Sequence, residues 1–149
     1  MQVSSWSLHY LNARGAMSPF KDRVEQACRK VARKADEIDR NIVLDIVVQA
    51  IPGHGIPQIG HVGHSLSPGI VTLTLDPANP HLEANLGEVL GRVIAHELHH
   101  ALRWDEVGYG RTLGEAIVTE GLAGRFVQEL FGYDGEIWER AISRDELPF

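Results

Sequence analysis

The sequence predicts one α+β domain over residues 1–149, in which helices pack on a small mixed sheet. Its 149 residues suit a single domain with a sizeable core. An amphipathic helical pattern comes first, short runs rich in β-branched residues follow, and two long helical patterns come last. Strands and helices that are largely separated along the chain are typical of α+β domains.

The first helix is predicted to begin at Ser18 and Pro19, because serine is a common N-cap and proline suits the first helical turn. Apolar residues then recur at helical spacing over residues 20–38, while charged residues occupy the other face. Residues 42–51 are rich in Ile and Val and predict a mostly buried strand. Residues 1–17 show no pattern that selects helix or strand.

The glycine-rich segment 52–69 predicts a loop, with one short strand near residues 59–62. Residues 69–75 alternate apolar and polar side chains, which predicts a half-exposed or edge strand. The helical spacing of apolar residues predicts helices at 84–104 and 113–131, and a last short helix is expected at 134–142.

Composition argues against several classes of protein. The net charge of −6 provides no basic surplus to neutralise the phosphates of a nucleic acid. Cys28 is the only cysteine, so neither an intrachain disulfide nor a cysteine zinc cluster can form, and its apolar setting predicts an inert buried thiol. No apolar run approaches the ~20 residues that span a bilayer, and the N-terminus does not resemble a secretory signal. We therefore expect a cytoplasmic protein without membrane contact.

The most specific pattern is His-Glu-Leu-His-His at residues 96–100, which contains H-E-x-x-H within a predicted helix. Residues four apart lie on one helical face, so His96 and His100 can bind the same ion. Two histidines and one further ligand leave a zinc position open for water, and Glu97 lies beside them as a candidate general base. His99 is the alternative second ligand, or else a neighbour that packs beside the site. The alternative for the whole pattern is a pair of half-buried core histidines.

The next helix offers two candidates for the third ligand. Thr112 and Glu115 have the spacing of a capping box, and Glu115 points roughly 140° away from Glu120. Glu120 instead lies within about 60° of an apolar stripe. That stripe consists of Leu113, Ala116, Ile117, Gly124, Val127 and Phe131. A carboxylate there needs a cation, so Glu120 is the predicted ligand, with an ion pair to Arg92 or Arg103 as the alternative.

These residues resemble the gluzincin metallopeptidases. In those families H-E-x-x-H supplies two metal ligands and the general base, and a glutamate on the following helix supplies the third ligand. Residues 119–123 read Thr-Glu-Gly-Leu-Ala, with Glu120 twenty residues after His100. That run is similar to the Glu-Gly-Phe-Ala of the aminopeptidase branch.

A closer resemblance is to a bacterial family of predicted zinc-dependent proteases of unknown function. It covers about residues 40–131 in order and is carried by 96–100, by 112–123, and by Ser-Pro-Gly at 67–69 running into a strand that ends with Asp-Pro at 76–77. The size of the chain is also similar to that of the single-domain minigluzincins.

The resemblance implies a zincin-like fold, with an active-site helix and a glutamate helix packed on the sheet. It also implies one zinc ion per chain on His96, His100 and Glu120, with Glu97 as the base for peptide hydrolysis. The rival interpretations are a catalytically inactive zinc-binding module that recognises a protein partner, and a purely structural metal site. A structural site has no use for a carboxylate beside an open coordination position, so Glu97 favours the enzyme.

Two positions depart from the gluzincin pattern. Gly124 stands where many gluzincins have an aspartate that orients a histidine ligand. Larger gluzincins place a Tyr or His on a C-terminal subdomain to stabilise the oxyanion, whereas the only Tyr or His after residue 131 here is Tyr133. The residue that donates a hydrogen bond to the oxyanion is therefore not assigned. Tyr109, which lies between two glycines beside the metal helix, is one candidate; its alternative role is packing within the loop. His99 is a candidate partner of the ligands.

The expected substrate is a peptide, which can add a strand to an exposed sheet edge. On the predicted edge strand, the substrate-binding residues are Ile70, Thr72 and Thr74. His61 and His64, in the glycine-rich loop, are a candidate pair for a second metal, with lining of the cleft as their alternative role.

Overall fold

A four-stranded mixed sheet forms the centre of the molecule, as seen in a computed structural model that describes residues 6–39, 41–140 and 142–146. Within those residues the elements in chain order are β1 (Trp6–Leu11), α1 (Lys21–Asp36), β2 (Leu44–Ala50), β3 (His61–Ser67), β4 (Ile70–Leu75), α2 (Glu88–Arg103) and α3 (Leu113–Phe131). Short 3₁₀ turns lie at Glu83–Asn85, before α2, and at Ile137–Arg140 and Arg144–Glu146, after α3. The predicted α+β class with a small mixed sheet is confirmed.

The strand order is β1-β2-β4-β3, with β1, β2 and β4 parallel and β3 antiparallel to β4. The prediction that residues 69–75 form an edge strand is therefore wrong. Thr72 of β4 pairs with Val47 of β2 on one side and with His64 of β3 on the other. The alternation of β4 reflects one covered and one open face, which an internal strand of a two-layer domain also shows.

One face of the sheet packs against α1 and α2, which also contact each other. Ile46, Val71 and Leu73 point to this face and are fully buried. The predicted substrate-binding side chains Ile70, Thr72 and Thr74 alternate with them, so they point to the opposite face, away from α2. Thr74 instead accepts a hydrogen bond from Gln49 of β2, at 3.0 Å. The assignment of these three residues to substrate binding is thus corrected by the sheet topology.

The edge strands β1 and β3 are the elements that local patterns did not predict. Trp6, Leu8 and Tyr10 of β1 alternate with more exposed residues and pack against the core. β3 covers His61–Ser67, beyond the short strand expected at 59–62. Its glycine and histidine content indicates a loop locally, whereas the strand forms because β4 supplies a hydrogen-bonding partner.

The three long helices lie close to their predicted positions, and α3 coincides with the prediction. The short helix expected at 134–142 is instead the 3₁₀ turn Ile137–Arg140. Its capping box is confirmed: the Thr112 hydroxyl accepts from the Glu115 N–H at 3.2 Å, and the Glu115 carboxylate accepts from the Thr112 N–H at 3.0 Å. The predicted N-cap Ser18 is wrong, because α1 begins at Lys21 after Phe20. Cys28 is buried in the core, and burial raises the pKa of its thiol to about 12. In the described part of the chain, no helix is long and apolar enough to cross a membrane.

His61 makes the stability of the fold sensitive to pH. It is fully buried at the start of β3, where its Nε2 donates to the carbonyl oxygen of Asn85 at 2.9 Å. Burial lowers the pKa of His61, so below about pH 6.5 the unfolded chain binds more protons than the folded one. We expect the free energy of unfolding to fall as pH decreases from about 6.5, by up to about 1.4 kcal/mol per pH unit from this group.

The measurement is urea unfolding between about pH 5 and pH 8 for the wild type and for His61→Gln, which cannot be protonated. The variant should lose less stability than the wild type across this range. Parallel losses in the two proteins would show that His61 does not titrate with unfolding.

Candidate metal centre

The two histidines of the H-E-x-x-H motif project from α2, which is anchored on the sheet by its opposite side. Leu90, Ile94 and Leu98 are fully buried and hold α2 in the core. His96 and His100, four residues apart, lie on the face that turns toward α3. The helical spacing of the motif and the burial of α2 together place both imidazoles in a cleft between β3 and α3.

Three side chains converge in this cleft. The Nε2 atoms of His96 and His100 lie 3.1 Å apart. The Glu120 carboxylate reaches them from α3, with Oε2 at 2.9 Å from His96 Nε2 and Oε1 at 3.4 Å from His100 Nε2. Ligands about 2.0–2.1 Å from a tetrahedral zinc ion are about 3.3 Å apart, so the separations of these three side chains are compatible with one such ion. The set of two imidazoles and a carboxylate is also chemically suited to zinc.

Glu120 lies at the rim of the cleft instead of within a buried apolar stripe. Leu113 and Ile117 of that predicted stripe are 78% and 63% exposed. The side of α3 that is buried carries the smaller residues Thr119 and Ala123, because small side chains let α3 approach α2 closely. Partial burial raises the pKa of Glu120, but the Tyr109 hydrogen bond and the two histidines outweigh this and hold it below its usual range.

Within the described residues, the structure shows neither Glu115 near the histidines nor an ion pair of Glu120 with Arg92 or Arg103. Glu115 is engaged in the capping box at the start of α3. Arg92 pairs with Glu88 and Glu136, and Glu120 contacts the two histidines.

Glu97 lies directly under β3, beside the ligands. It is buried, and this burial together with the negative charge of Glu120 raises its pKa to about 7, while a hydrogen bond from the Ser65 backbone lowers it. Its position depends on Gly63, since a Cβ there would lie 2.5 Å from Glu97 Cγ and 2.9 Å from Val93 Cγ1. The absence of a side chain at residue 63 therefore makes room for the candidate base.

Gly63→Ala should consequently destabilise the fold by about 1–3 kcal/mol, because the added methyl overpacks β3 against α2. The matched control is Gly114→Ala in α3, where an added Cβ meets nothing within 4 Å. Because Gly114 is exposed in the first turn of α3, that change should alter the free energy of unfolding by no more than about 0.5 kcal/mol. Urea unfolding of both variants measures the difference, and a neutral Gly63→Ala would contradict the close contact.

Tyr109 and His99 flank the cluster in different ways. The Tyr109 hydroxyl donates to Glu120 Oε1 at 2.6 Å, and this hydrogen bond raises its pKa to about 12. The Thr119 hydroxyl donates to the Tyr109 carbonyl oxygen at 2.8 Å and holds the loop in place. His99 turns away toward Phe126, with ring centroids 5.3 Å apart, and burial lowers its pKa to about 4. Tyr109 is thus brought to the site, and His99 packs beside it.

The histidines of the glycine-rich segment are separated by the alternation of β3. His61 is buried on the core side, whereas His64 is exposed and lines the cleft together with Leu66 and Trp104. The structure does not bring the proposed second metal pair together. The Trp104 indole donates to the Ser65 carbonyl oxygen at 3.0 Å and ties the end of α2 to β3.

Sequence reasoning did not identify Gly63, Ser65 or the C-terminal residues Trp138 and Glu139 as part of this site. Trp138 and Glu139 lie beside His96 in the structure, although they are about forty residues from it along the chain. A lone glycine in a predicted loop and an acidic residue after the last helix carry no local signal for such a role. Their place follows only from tertiary packing.

Comparison with known proteins supports the metal assignment at the level of the family. The model of a family described as predicted Zn-dependent protease (DUF2268) matches residues 20–149. The chain is also 32% identical over 78 residues to the uncharacterized protein YjfC of Bacillus subtilis strain 168. That match covers 50% of this chain and 24% of YjfC, so it spans about a quarter of the relative's length. No solved structure gave a significant match.

Proposed function

The chain belongs to the family of predicted zinc-dependent proteases, and from that membership we propose that it hydrolyses peptide bonds with zinc held by His96, His100 and Glu120. The observation that carries the proposal is the convergence of these three side chains beside a buried carboxylate, Glu97. Three ligands and an adjacent base are the composition of a catalytic zinc site, whereas structural zinc sites are closed by four protein ligands.

Zinc supplies a Lewis acid that polarises a peptide carbonyl and makes water more acidic. The Glu97 carboxylate accepts a proton from the attacking water and returns it to the leaving amine. A buried carboxylate beside the metal is placed to take up this proton and release it again. The backbone N–H of Ser65 holds the carboxylate in position.

Tyr109 is the proposed oxyanion donor. Its hydroxyl is 2.6 Å from Glu120 Oε1, and its ring lies 5.6 Å from the His100 ring. A hydroxyl at this place can turn from the carboxylate to the carbonyl oxygen of a substrate as negative charge develops there. In this role the Tyr109 hydroxyl would no longer donate its hydrogen bond to Glu120 during turnover.

The proposed substrate-binding edge is β3 instead of β4. Within the described strands β3 pairs only with β4, so its other side is an outer edge of the sheet. On this side Ser65 already bonds to Glu97 and to the Trp104 indole, so a bound peptide would pair around Gly63. Gly63 and Ser65 of β3 lie against Glu97, which places this edge beside the reacting groups. A peptide that pairs with β3 as an added strand would bring its carbonyl to the metal centre.

The finer classification is also part of the proposal. An antiparallel edge strand above the helix that carries H-E-x-x-H, followed by a helix that carries the glutamate, supports a zincin-like fold of the gluzincin type. The gluzincin aspartate is replaced by Gly124, and the single-domain size is similar to that of the minigluzincins.

The test is metal analysis and peptide-library cleavage on one preparation of the wild-type protein. We expect one zinc ion per chain, hydrolysis that a chelator abolishes, and recovery when zinc is restored. Tight zinc binding without cleavage of any peptide would instead favour the inactive zinc-binding module. Failure to bind zinc would reject both.

A further inference from the structure

A cavity of about 120 Å³ opens next to the metal centre. His96 and Glu97 line it, its apolar wall is formed by Val93 and Val127, and Trp138 of the C-terminal 3₁₀ turn closes one side. An engineered cavity of about 150 Å³ holds a benzene molecule, so a space of this size suits one side chain. A peptide bound at the metal centre would have a side chain within reach of it.

The polar wall of the cavity contains Arg92, which is already paired, and a carboxylate that has no ion pair. Arg92 donates to Glu136 at 2.6 Å and to Glu88 at 3.1 Å, so two carboxylates already share one guanidinium. The Arg92 and Glu136 side chains are only 14% and 15% exposed. Glu139 also lines this wall and has no ion pair within the described residues. Arg92 therefore neutralises Glu136, and the Glu139 carboxylate is left without a cationic partner in the described part of the chain.

Glu139 is held in place by contacts of its own. Its Oε2 accepts from the Glu136 backbone N–H at 2.7 Å. Its Oε1 lies over α3 at Gly124, where an added Cβ would approach to 2.3 Å. Gly124 thus provides the space that the carboxylate occupies, one helical turn beyond Glu120. The position of this acidic group follows from the packing of α3 against the C-terminal turn.

We propose that this cavity binds a basic side chain of the substrate, a lysine or arginine next to the cleaved bond. The apolar wall of Val93 and Val127 suits the methylene stem of such a side chain, and Glu139 suits its charged end. The Trp138 ring at the same opening adds a face to which cations are attracted. This inference rests on the proposed peptidase function, because it names the substrate class of that site.

The first experiment measures ligand binding without turnover. The full zinc-loaded chain is titrated with n-butylguanidinium, which mimics an arginine side chain, and with its neutral analogue n-butylurea. NMR follows the Trp138 indole N–H. We expect the cation to bind about three- to tenfold more tightly, the size expected for one partly exposed charge-assisted hydrogen bond.

Two variants test whether the preference for the cation depends on the Glu139 carboxylate. Glu139→Gln should abolish it, and Gly124→Ala should reduce it, because the methyl displaces the Glu139 carboxylate without removing its charge. Glu129→Gln, an exposed carboxylate on α3 that pairs with Arg125, is the matched control and should keep the preference. Equal affinity for the two probes, or no binding of either by the wild type, would overturn the proposal.

The second experiment compares hydrolysis of peptide pairs that carry arginine or its neutral analogue citrulline beside the scissile bond. The wild type should show a three- to tenfold higher kcat/KM for arginine, about the effect of one partly exposed charged contact, and Glu139→Gln should lose the difference. Equal cleavage of both peptides overturns the basic subsite while the peptidase function stands. If no peptide is cleaved, the peptidase function fails, and the binding experiment still decides whether the cavity selects cations.

Discussion

Glu97→Gln is expected to reduce peptide hydrolysis by at least about 10²–10⁴-fold, the usual contribution of a positioned proton-transfer group. The amide keeps the shape of the side chain but cannot accept a proton from water. His96, His100 and Glu120 are unchanged, so zinc content should equal that of the wild type. Zinc stoichiometry and kcat, measured on the same preparations, test both parts of the expectation.

The control for this change is Glu129→Gln, which alters an exposed glutamate in the same way on another face of the molecule. It should retain wild-type zinc content and activity. A Glu97→Gln variant that cleaves peptides as fast as the wild type would show that Glu97 is not the base. Loss of zinc in that variant would instead mean that the carboxylate helps to hold the metal.

Glu120→Ala is expected to weaken zinc binding by more than about 100-fold. Loss of a group that merely orients a ligand already costs about 10–100-fold, and Glu120 is a proposed ligand itself. Glu115→Ala is the matched variant on the same helix. It removes half of the capping box and should cost about 1 kcal/mol of stability while leaving zinc affinity unchanged.

The two glutamates should therefore separate metal binding from helix capping. Competition with a chromophoric chelator measures zinc affinity, and urea unfolding of the metal-free proteins measures stability. Equal loss of zinc in both variants would contradict the assignment of Glu120. Retention of zinc by Glu120→Ala would point to a different third ligand.

Local sequence patterns were sufficient to predict much of the metal centre. H-E-x-x-H places two imidazoles one helical turn apart whatever the rest of the fold does, because helix geometry is local. The capping box of Thr112 and Glu115 likewise indicated where α3 begins, and thus which glutamate remained for the metal. The buried stripe of α3 was predicted only in part, since Gly124 and Val127 are buried whereas Leu113 and Ile117 are exposed.

The order of the strands in the sheet could not be predicted from local sequence patterns. β4 has the alternation expected of an edge strand, yet it lies between β2 and β3. β3 has the glycine content of a loop, yet it forms the edge beside Glu97. Strand pairing joins segments that are distant along the chain. The alternation of apolar and polar residues in a strand indicates which of its faces is buried, but it does not indicate which strands lie beside it.

The sequence by itself determined the three helices, the α+β class, and the identity of the candidate ligands and base, because each depends on spacing within one helix or on composition. Tertiary structure alone decided that β3 is the edge beside the site, that Gly63 makes room for Glu97, and that Glu139 reaches the cavity next to His96. Those features arise where elements far apart in sequence come into contact. Their physical cause is packing and pairing between elements, which no local periodicity records.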